Sequence, residues 1–379
     1  DWAATKAYYR MIDQPEDSVV NLANLLQPHR QRTARRMMGQ KTVLCIQDGS
    51  ELNYTNLEKC SGLGELKANQ TGAKMKGLNL HSTFAVAPNG LPLGILKAQC
   101  IAPQTRSPDN KRKPSKIPIE EKKTFAWIEH YRDLVDLAVT MPQTRLVSVC
   151  DREADFFELL DEQRRNPDVD LLIRAQHNRN INECPTKLFA AIRQVPVQSR
   201  ISVHIPKQSA RPKKSKQKAK AARPGRQAEL ALRHLSISLP APSYYHDKAP
   251  IPIQLVYAVE ENPPQGTKMV EWFLLTTMKI DSVADIEKCL RWYTLRWRIE
   301  DWHRVLKSGC KIEDLAHETA ERLRRAIGIN LVIAWRIMLM TLLGRETPGL
   351  PAEILFSNVE LRTLHAYAKK KIKTTFVIR

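Results

Sequence analysis

Thr42-Val-Leu-Cys-Ile46-Gln47-Asp48 is a short, apolar, β-branched run that finishes on a carboxylate, and Arg145-Leu-Val-Ser-Val-Cys150-Asp151 repeats the arrangement. Runs of this length and composition read as buried strands. Polar residues at the ends of neighbouring buried strands converge on one edge of a sheet, where α/β proteins place their sites. Two carboxylates brought together there would suit a hard divalent cation, Mg²⁺ or Mn²⁺, held by oxygen ligands. An Asp at a strand exit also suits capping the next turn, so each aspartate alone carries that second reading.

Working outward, Leu80-His-Ser-Thr-Phe-Ala-Val86 and Leu91-Pro-Leu-Gly-Ile-Leu96 flank Pro88-Asn89-Gly90. These turn residues tolerate positive φ, which predicts a hairpin and, with Thr42–Ile46, a three-stranded meander. A polar loop is expected at Gln104 to Lys116 and a helix at 119–140, with Phe125, Trp127, Ile128, Tyr131, Leu134 and Leu137 inward. After the strand ending at Cys150, Asp155 followed by Glu158 reads as a capping box opening another helix, and Asp170-Leu-Leu-Ile-Arg174 reads as a fifth strand. The order β-β-β-α-β-α-β predicts an α/β protein with a mixed sheet and helices on its faces. Period-two runs at 201–205, 228–233, 251–259 and 272–277 predict an antiparallel β insertion before the chain returns to helix at Asp281.

That helix, expected to run through Lys307, places Tyr293, Arg296, Glu300, His303 and Lys307 at i, i+3, i+7, i+10 and i+14, one stripe of a 3.6-residue period. By itself the stripe suits a solvated face with Arg296 and Glu300 as an i,i+4 pair. Beside a carboxylate pair it offers a third carboxylate, with cations and a tyrosine able to hold phosphates.

The spacing Tyr293-x-x-Arg296-x-x-x-Glu300-x-x-x-x-x-x-Lys307 resembles the YREK signature of bacterial insertion-sequence DDE transposases of the Tn-five-like, insertion-sequence-four type. Ile46-Gln-Asp-Gly-Ser-Glu-Leu52 and Cys150-Asp-Arg-Glu-Ala-Asp155 are similar to the other two acidic motifs of those proteins, in the same order, and the resemblance covers roughly residues 41–345. It implies an RNase H-like sheet carrying Asp48, Asp151 and Glu300 as catalytic ligands of two Mg²⁺ ions, with Mn²⁺ able to substitute. It further implies DNA contacts by Tyr293, Arg296, Lys307, Arg174 and Arg304, and a Trp272 that stacks on a flipped base. From sequence alone, a tryptophan in a β layer reads first as a core residue. The implied activity is cut-and-paste transposition: Mg²⁺-dependent cleavage and strand transfer at terminal inverted repeats, into target DNA, by a homodimer in the synaptic complex.

Composition agrees with such a partner. Sixty Lys and Arg against forty Asp and Glu give a net charge of +20, and Lys207–Arg226 holds nine basic residues and no acidic one. A folded protein of this balance seeks polyanions, so DNA, or RNA in a rival reading as an RNA-binding or RNA-processing protein, is the expected partner. Seven cysteines without a C-x-x-C pair argue against a disulfide framework or a zinc ribbon and for a reducing cytoplasm; the resemblance implies action at the bacterial nucleoid. The most apolar stretch, 327–343, carries Asn330 and Arg336 and reads as a buried helix, leaving no membrane partner. The expected organisation is an N-terminal helical DNA-binding remnant at 1–40 and a first part of the RNase H-like core at 41–175. A β insertion with a basic loop at 207–226 fills 176–278, a second core part with the Glu helix fills 279–345, and a truncated helical C-terminal region fills 346–379. A chain opening at Asp1 is expected to be a fragment, and a non-catalytic DNA-binding inhibitor derived from a transposase is the remaining alternative.

Overall fold

A computed structural model describes residues 2–66, 74–103, 117–182, 184–205, 210, 222, 224–245 and 247–375. The polar stretch 104–116 and most of the basic tract 207–226 lie outside the described residues. Strands β1 (Thr42–Asn53), β2 (Gly64–Leu66), β3 (Met75–Val86), β4 (Pro92–Ile101), β5 (Arg145–Cys150) and β6 (Val169–Arg174) form the first half of a mixed sheet. β4, β3 and β1 pair antiparallel, and β1, β5 and β6 pair parallel. The hairpin between β3 and β4 turns at Gly90, whose φ is +90°, with the Gly90 amide donating to the Ala87 carbonyl at 2.8 Å.

The second half is antiparallel, as the period-two runs predict, and it extends the same sheet. Strands β7 (Ser199–Ile205), β8 (Arg226–Leu239), β9 (Ile251–Glu260) and β10 (Glu271–Thr276) are antiparallel, but β10 pairs with β6, so all ten strands form one sheet. Period-two patterning shows that a strand has one buried face and is silent on which strand lies beside it. The central strands are covered on both sides, which is why β5 and β6 read as unbroken apolar runs.

One face is covered by α3 (Phe125–Val139), α4 (Phe157–Arg165) and α5 (Leu188–Gln194). The other carries α2 (Leu22–Met37), α6 (Val283–Thr294), α7 (Trp297–Arg304) and α8 (Ala320–Glu346). Helix α1 (Trp2–Ile12) precedes them and α9 (Asn358–Thr375) follows. In the first forty residues α2 buries Leu22, Leu26, His29, Thr33 and Met37 against the core. Two expectations are corrected here. Helix α8 is long and apolar enough to cross a membrane by length and composition, yet its buried residues cluster toward its first half while Ile333 and Ile337 are exposed. Its Arg325 is fully buried and donates to the carbonyls of Ile12, Gln14, Pro15 and Val20, which fastens α8 to the N-terminal segment. Finally, Asp155 forms no capping box: α4 has Phe156 at its N-cap without a side-chain cap. The buried Asp155 carboxylate instead accepts from the backbone amides of Gln176 and His177, at 2.6 and 2.9 Å, and from Arg179 at 2.6 Å. Two convergent amides and a guanidinium outcompete a local cap.

A Cβ on Gly77 would collide with the backbone carbonyl oxygen of Leu52 on the neighbouring strand. Gly77→Ala is therefore expected to cost about 2–3 kcal/mol and lower the melting temperature. Gly344→Ala, at an open position in α8, is expected to be neutral or stabilising by up to about 1 kcal/mol in the same melting experiment.

Candidate active site

Parallel strands β1 and β5 pair from Thr42↔Arg145 to Ile46↔Val149. Asp48 and Asp151 each stand two residues beyond the last pair, so the pleat aims both toward the face on which α7 lies. β1 does not end at Asp48; it continues to Asn53, paired with β3, so only the buried apolar part of the strand stops at the carboxylate. Asp151 follows β5 directly. Its Oδ1 accepts from the Glu153 amide at 2.8 Å and caps a single 3-10 turn at Arg152–Ala154.

The third carboxylate arrives from a helical segment that the sequence reads as continuous and the structure breaks. α6 stops at Thr294, α7 starts at Trp297, and a π turn occupies Val305–Gly309. Trp302 anchors α7: it is fully buried, stacks on Phe84 at 5.0 Å, and donates Nε1–H to the Leu331 carbonyl at 3.2 Å. Held this way, Glu300 projects at the strand edge with Arg296 beneath it. The Arg296 guanidinium bonds Glu300 and lies 3.6 Å from Asp48 Oδ2, so the i,i+4 pair is also a bridge between two of the acids.

The electrostatics follow from burial. The Asp48 carboxyl is pushed up to about 7, first by burial and then by the charges of Asp151 and Glu300, with Arg296 opposing. Burial also raises Asp151, with Glu153 and Glu300 adding to it. Burial alone would lower Arg296, but Tyr293, Glu300 and Asp48 together raise it. Tyr293 is buried at the end of α6; burial raises its hydroxyl, and the charges of Arg296 and Arg174 oppose that rise. Arg174 ends β6 and donates to the Glu271 carbonyl at 3.3 Å.

The remaining candidates are placed differently. Lys307, in the π turn, donates to the Glu51 carbonyl three residues past Asp48 and lies 3.5 Å from Glu313 Oε1. Arg304 is exposed and paired with Asp301 at 2.6 Å. Trp272 on β10 is 7% exposed, in the core, edge-on to Tyr293 at 5.9 Å and Trp297 at 6.0 Å. His303 on α7 is buried, its Nε2 has no partner, and burial lowers its pKa to about 3, so it is neutral. Sequence reading missed Gln47 and Ser82. Ser82 faces Asp48 across β1 and β3, and its buried hydroxyl has no partner. The signal available for it was a polar residue inside an otherwise apolar strand.

Among the described residues, no group of three or more His, Cys, Asp or Glu stands in metal-holding geometry. Arg296 takes the position between Asp48 and Glu300. The donor chemistry nevertheless suits a hard divalent cation: oxygen ligands only, two carboxyls made reluctant to ionise by burial and then by neighbouring acids, and an unpartnered hydroxyl opposite one of them.

A β4-β3-β1-β5-β6 order with carboxylates at its edge, a helix supplying a third acid and helices on both faces define an RNase H-like enzyme of the nuclease and transposase class. A sequence model of the transposase DDE domain matches residues 129–336, more than half of the chain. The chain therefore belongs to the DDE transposase family, whose substrate is DNA and whose members generally use divalent metals. The matched span contains Asp151 and Glu300, while Asp48 lies before it.

Proposed function

We propose that this chain is a cut-and-paste transposase of the insertion-sequence type, with Asp48, Asp151 and Glu300 as its catalytic acids. The observation that carries this reading is that one guanidinium bridges Asp48 and Glu300 while Asp151 stands at the matching level of the neighbouring strand, although the three acids come from separate parts of the chain. These three would hold two Mg²⁺ ions. When bound, the ions supply charge stabilisation to the oxygens that enter and leave phosphorus.

The rest of the chemistry belongs to the side chains. Water attacks phosphorus at the element end, the bond to the 3′ oxygen breaks, and that oxygen leaves with a proton as a 3′-hydroxyl. The hydroxyl then attacks a phosphodiester of the target, forming one ester bond as another breaks. Arg296, Tyr293, Arg174 and Lys307 line the carboxylates with donors for the non-bridging phosphate oxygens, and Arg304 meets the backbone further along α7. Two copies of the chain would bring two element ends together, on DNA in the bacterial cytoplasm and nucleoid.

Incubating the chain with a supercoiled plasmid that carries its gene and flanking DNA tests the reading. Nicks ending in 3′-hydroxyls, dependent on Mg²⁺ and followed by joined products, are expected. Cleavage of RNA alone, or none with metal present, would retire it. Affinity for the same DNA should fall steeply with salt, and neutralising the nine basic residues of 207–226 should flatten that slope. An unchanged slope would remove the tract from the interface.

A further inference from the structure

The backbone ladder between β1 and β5 stops at Ile46↔Val149, one residue short of Gln47 and two short of Asp48. Beyond that pair the register gives Asp48 and Asp151 no partner on each other's strand. Side chains on the opposite face cross the same gap. Gln47 is fully buried; its Nε2 donates to Ser148 Oγ on β5 at 2.9 Å, and its Oε1 lies 3.2 Å from His81 Nε2 on β3. One amide thus ties three adjacent strands at the level where the ladder ends. Its anchors are themselves fixed: His81 is edge-on to Trp127 at 4.6 Å and to His130 at 4.5 Å, and His130 Nδ1 is 2.6 Å from Thr83 Oγ1. Burial keeps the His81 ring neutral, so it donates one N–H to Gln47. Ser148 Oγ lies 3.4 Å from the Sγ of Cys150, the residue before Asp151.

The neighbours of this network on that face include Cys45, Leu146 and Cys150, among which an aliphatic side chain would pack without the cost of burying an amide. A polar group kept in such a place is expected to specify geometry, and the geometry within reach is the spacing of the two aspartates. We propose that Gln47 is a positioning residue that, through Ser148 and His81, sets the separation of Asp48 and Asp151 for divalent-cation binding. The proposal rests on the metal-dependent reading of the site.

Mn²⁺ binding to the full chain, read by electron paramagnetic resonance of the free ion and by the Mn²⁺-induced rise in melting temperature, tests it without DNA. Gln47→Leu is expected to weaken Mn²⁺ binding about tenfold, in the range of changes seen when the partners that orient ligands are removed. Ser148→Ala breaks the same link with a smaller change of volume and is expected to do likewise. The double variant should be no weaker than the worse single one, as for two ends of a single brace. The concentration of Mg²⁺ that half-saturates nicking should move by the same factor, while DNA affinity stays unchanged. Unaltered Mn²⁺ affinity in either variant, whatever happens to its melting temperature, would overturn the proposal and leave Gln47 as core packing. Strictly additive losses would overturn the shared brace. A wild-type chain that binds no Mn²⁺ would overturn both this inference and the metal-dependent reading, whereas wild-type binding with unaltered variants would overturn the inference alone.

Discussion

Asp48→Asn is expected to remove Mg²⁺-dependent nicking, by roughly a thousandfold or more, while making the protein more stable at pH 8. The two effects have one origin. Burial, with Asp151 and Glu300 nearby, pushes the Asp48 carboxyl up to about 7, above its ordinary range. A carboxyl whose folded pKa exceeds its unfolded value binds its proton more tightly in the native state. Its ionisation therefore weakens the fold progressively between about pH 4 and pH 7, and the whole penalty is present above that. Replacing the carboxylate by an amide removes the penalty, a gain on the order of 2–4 kcal/mol at pH 8 that disappears below about pH 4. Asp151→Asn should share the direction, since burial raises that carboxyl too. Glu300→Gln should abolish nicking. Thermal melts across pH beside a nicking assay provide the check. Undiminished nicking by any one variant would remove that residue from the catalytic set, and an Asp48→Asn chain less stable than wild type at pH 8 would contradict the burial account.

Trp272→Ala is expected to cost about 3–5 kcal/mol and to depress every step of the reaction together. The indole is 7% exposed and meets the edges of Tyr293 and Trp297, so its removal opens a cavity beneath α6 and the start of α7. Trp272→Phe should recover most of the stability. A base-stacking tryptophan behaves otherwise: its loss would leave the melting temperature and first nick intact and slow only later end processing, since stacking contributes about 1–3 kcal/mol after a base leaves the duplex. Melting together with a stepwise cleavage assay separates the two outcomes.

The strands bearing Asp48 and Asp151 were legible because a buried parallel strand has to be apolar and because its carboxylate interrupts the pattern. The hairpin at Pro88-Asn89-Gly90 was legible because positive φ selects such residues, as Gly90 shows. The meeting of Arg296 with Asp48 was not legible: helical spacing predicts Glu300 as a partner and cannot report a strand on another part of the chain. The break at Leu295 and Arg296 was hidden because the side chains on either side of it keep nearly helical spacing. Asp155 was misread because a capping box is a purely local signature, and the competing amides of Gln176 and His177 come from beyond the next strand. The short helix α5 was lost inside a stretch dominated by period two. Gln47 gave no periodic or motif signal, since its meaning depends on Ser148 and His81, which lie on other strands.

The single sheet also fixes where the positive charge starts. Counting pairings from β5 through β6, β10, β9 and β8, strand β7 runs in the same direction as β5, so its last residue, Ile205, lies on the same edge as Asp151. Arg226, its register partner at the beginning of β8, lies there too. The basic tract is thus rooted toward the same end of the strands as the acids, four or five strand spacings across the sheet, roughly 19–24 Å, and well beyond Asp151 along the strands, because the register sets Asp151 level with His234 rather than with Arg226. The hydrogen-bonded strands hold the root of the tract at a fixed offset from the acids, so on the proposed function a DNA flank too short to reach that root is expected to bind more weakly while the scissile phosphate keeps its place.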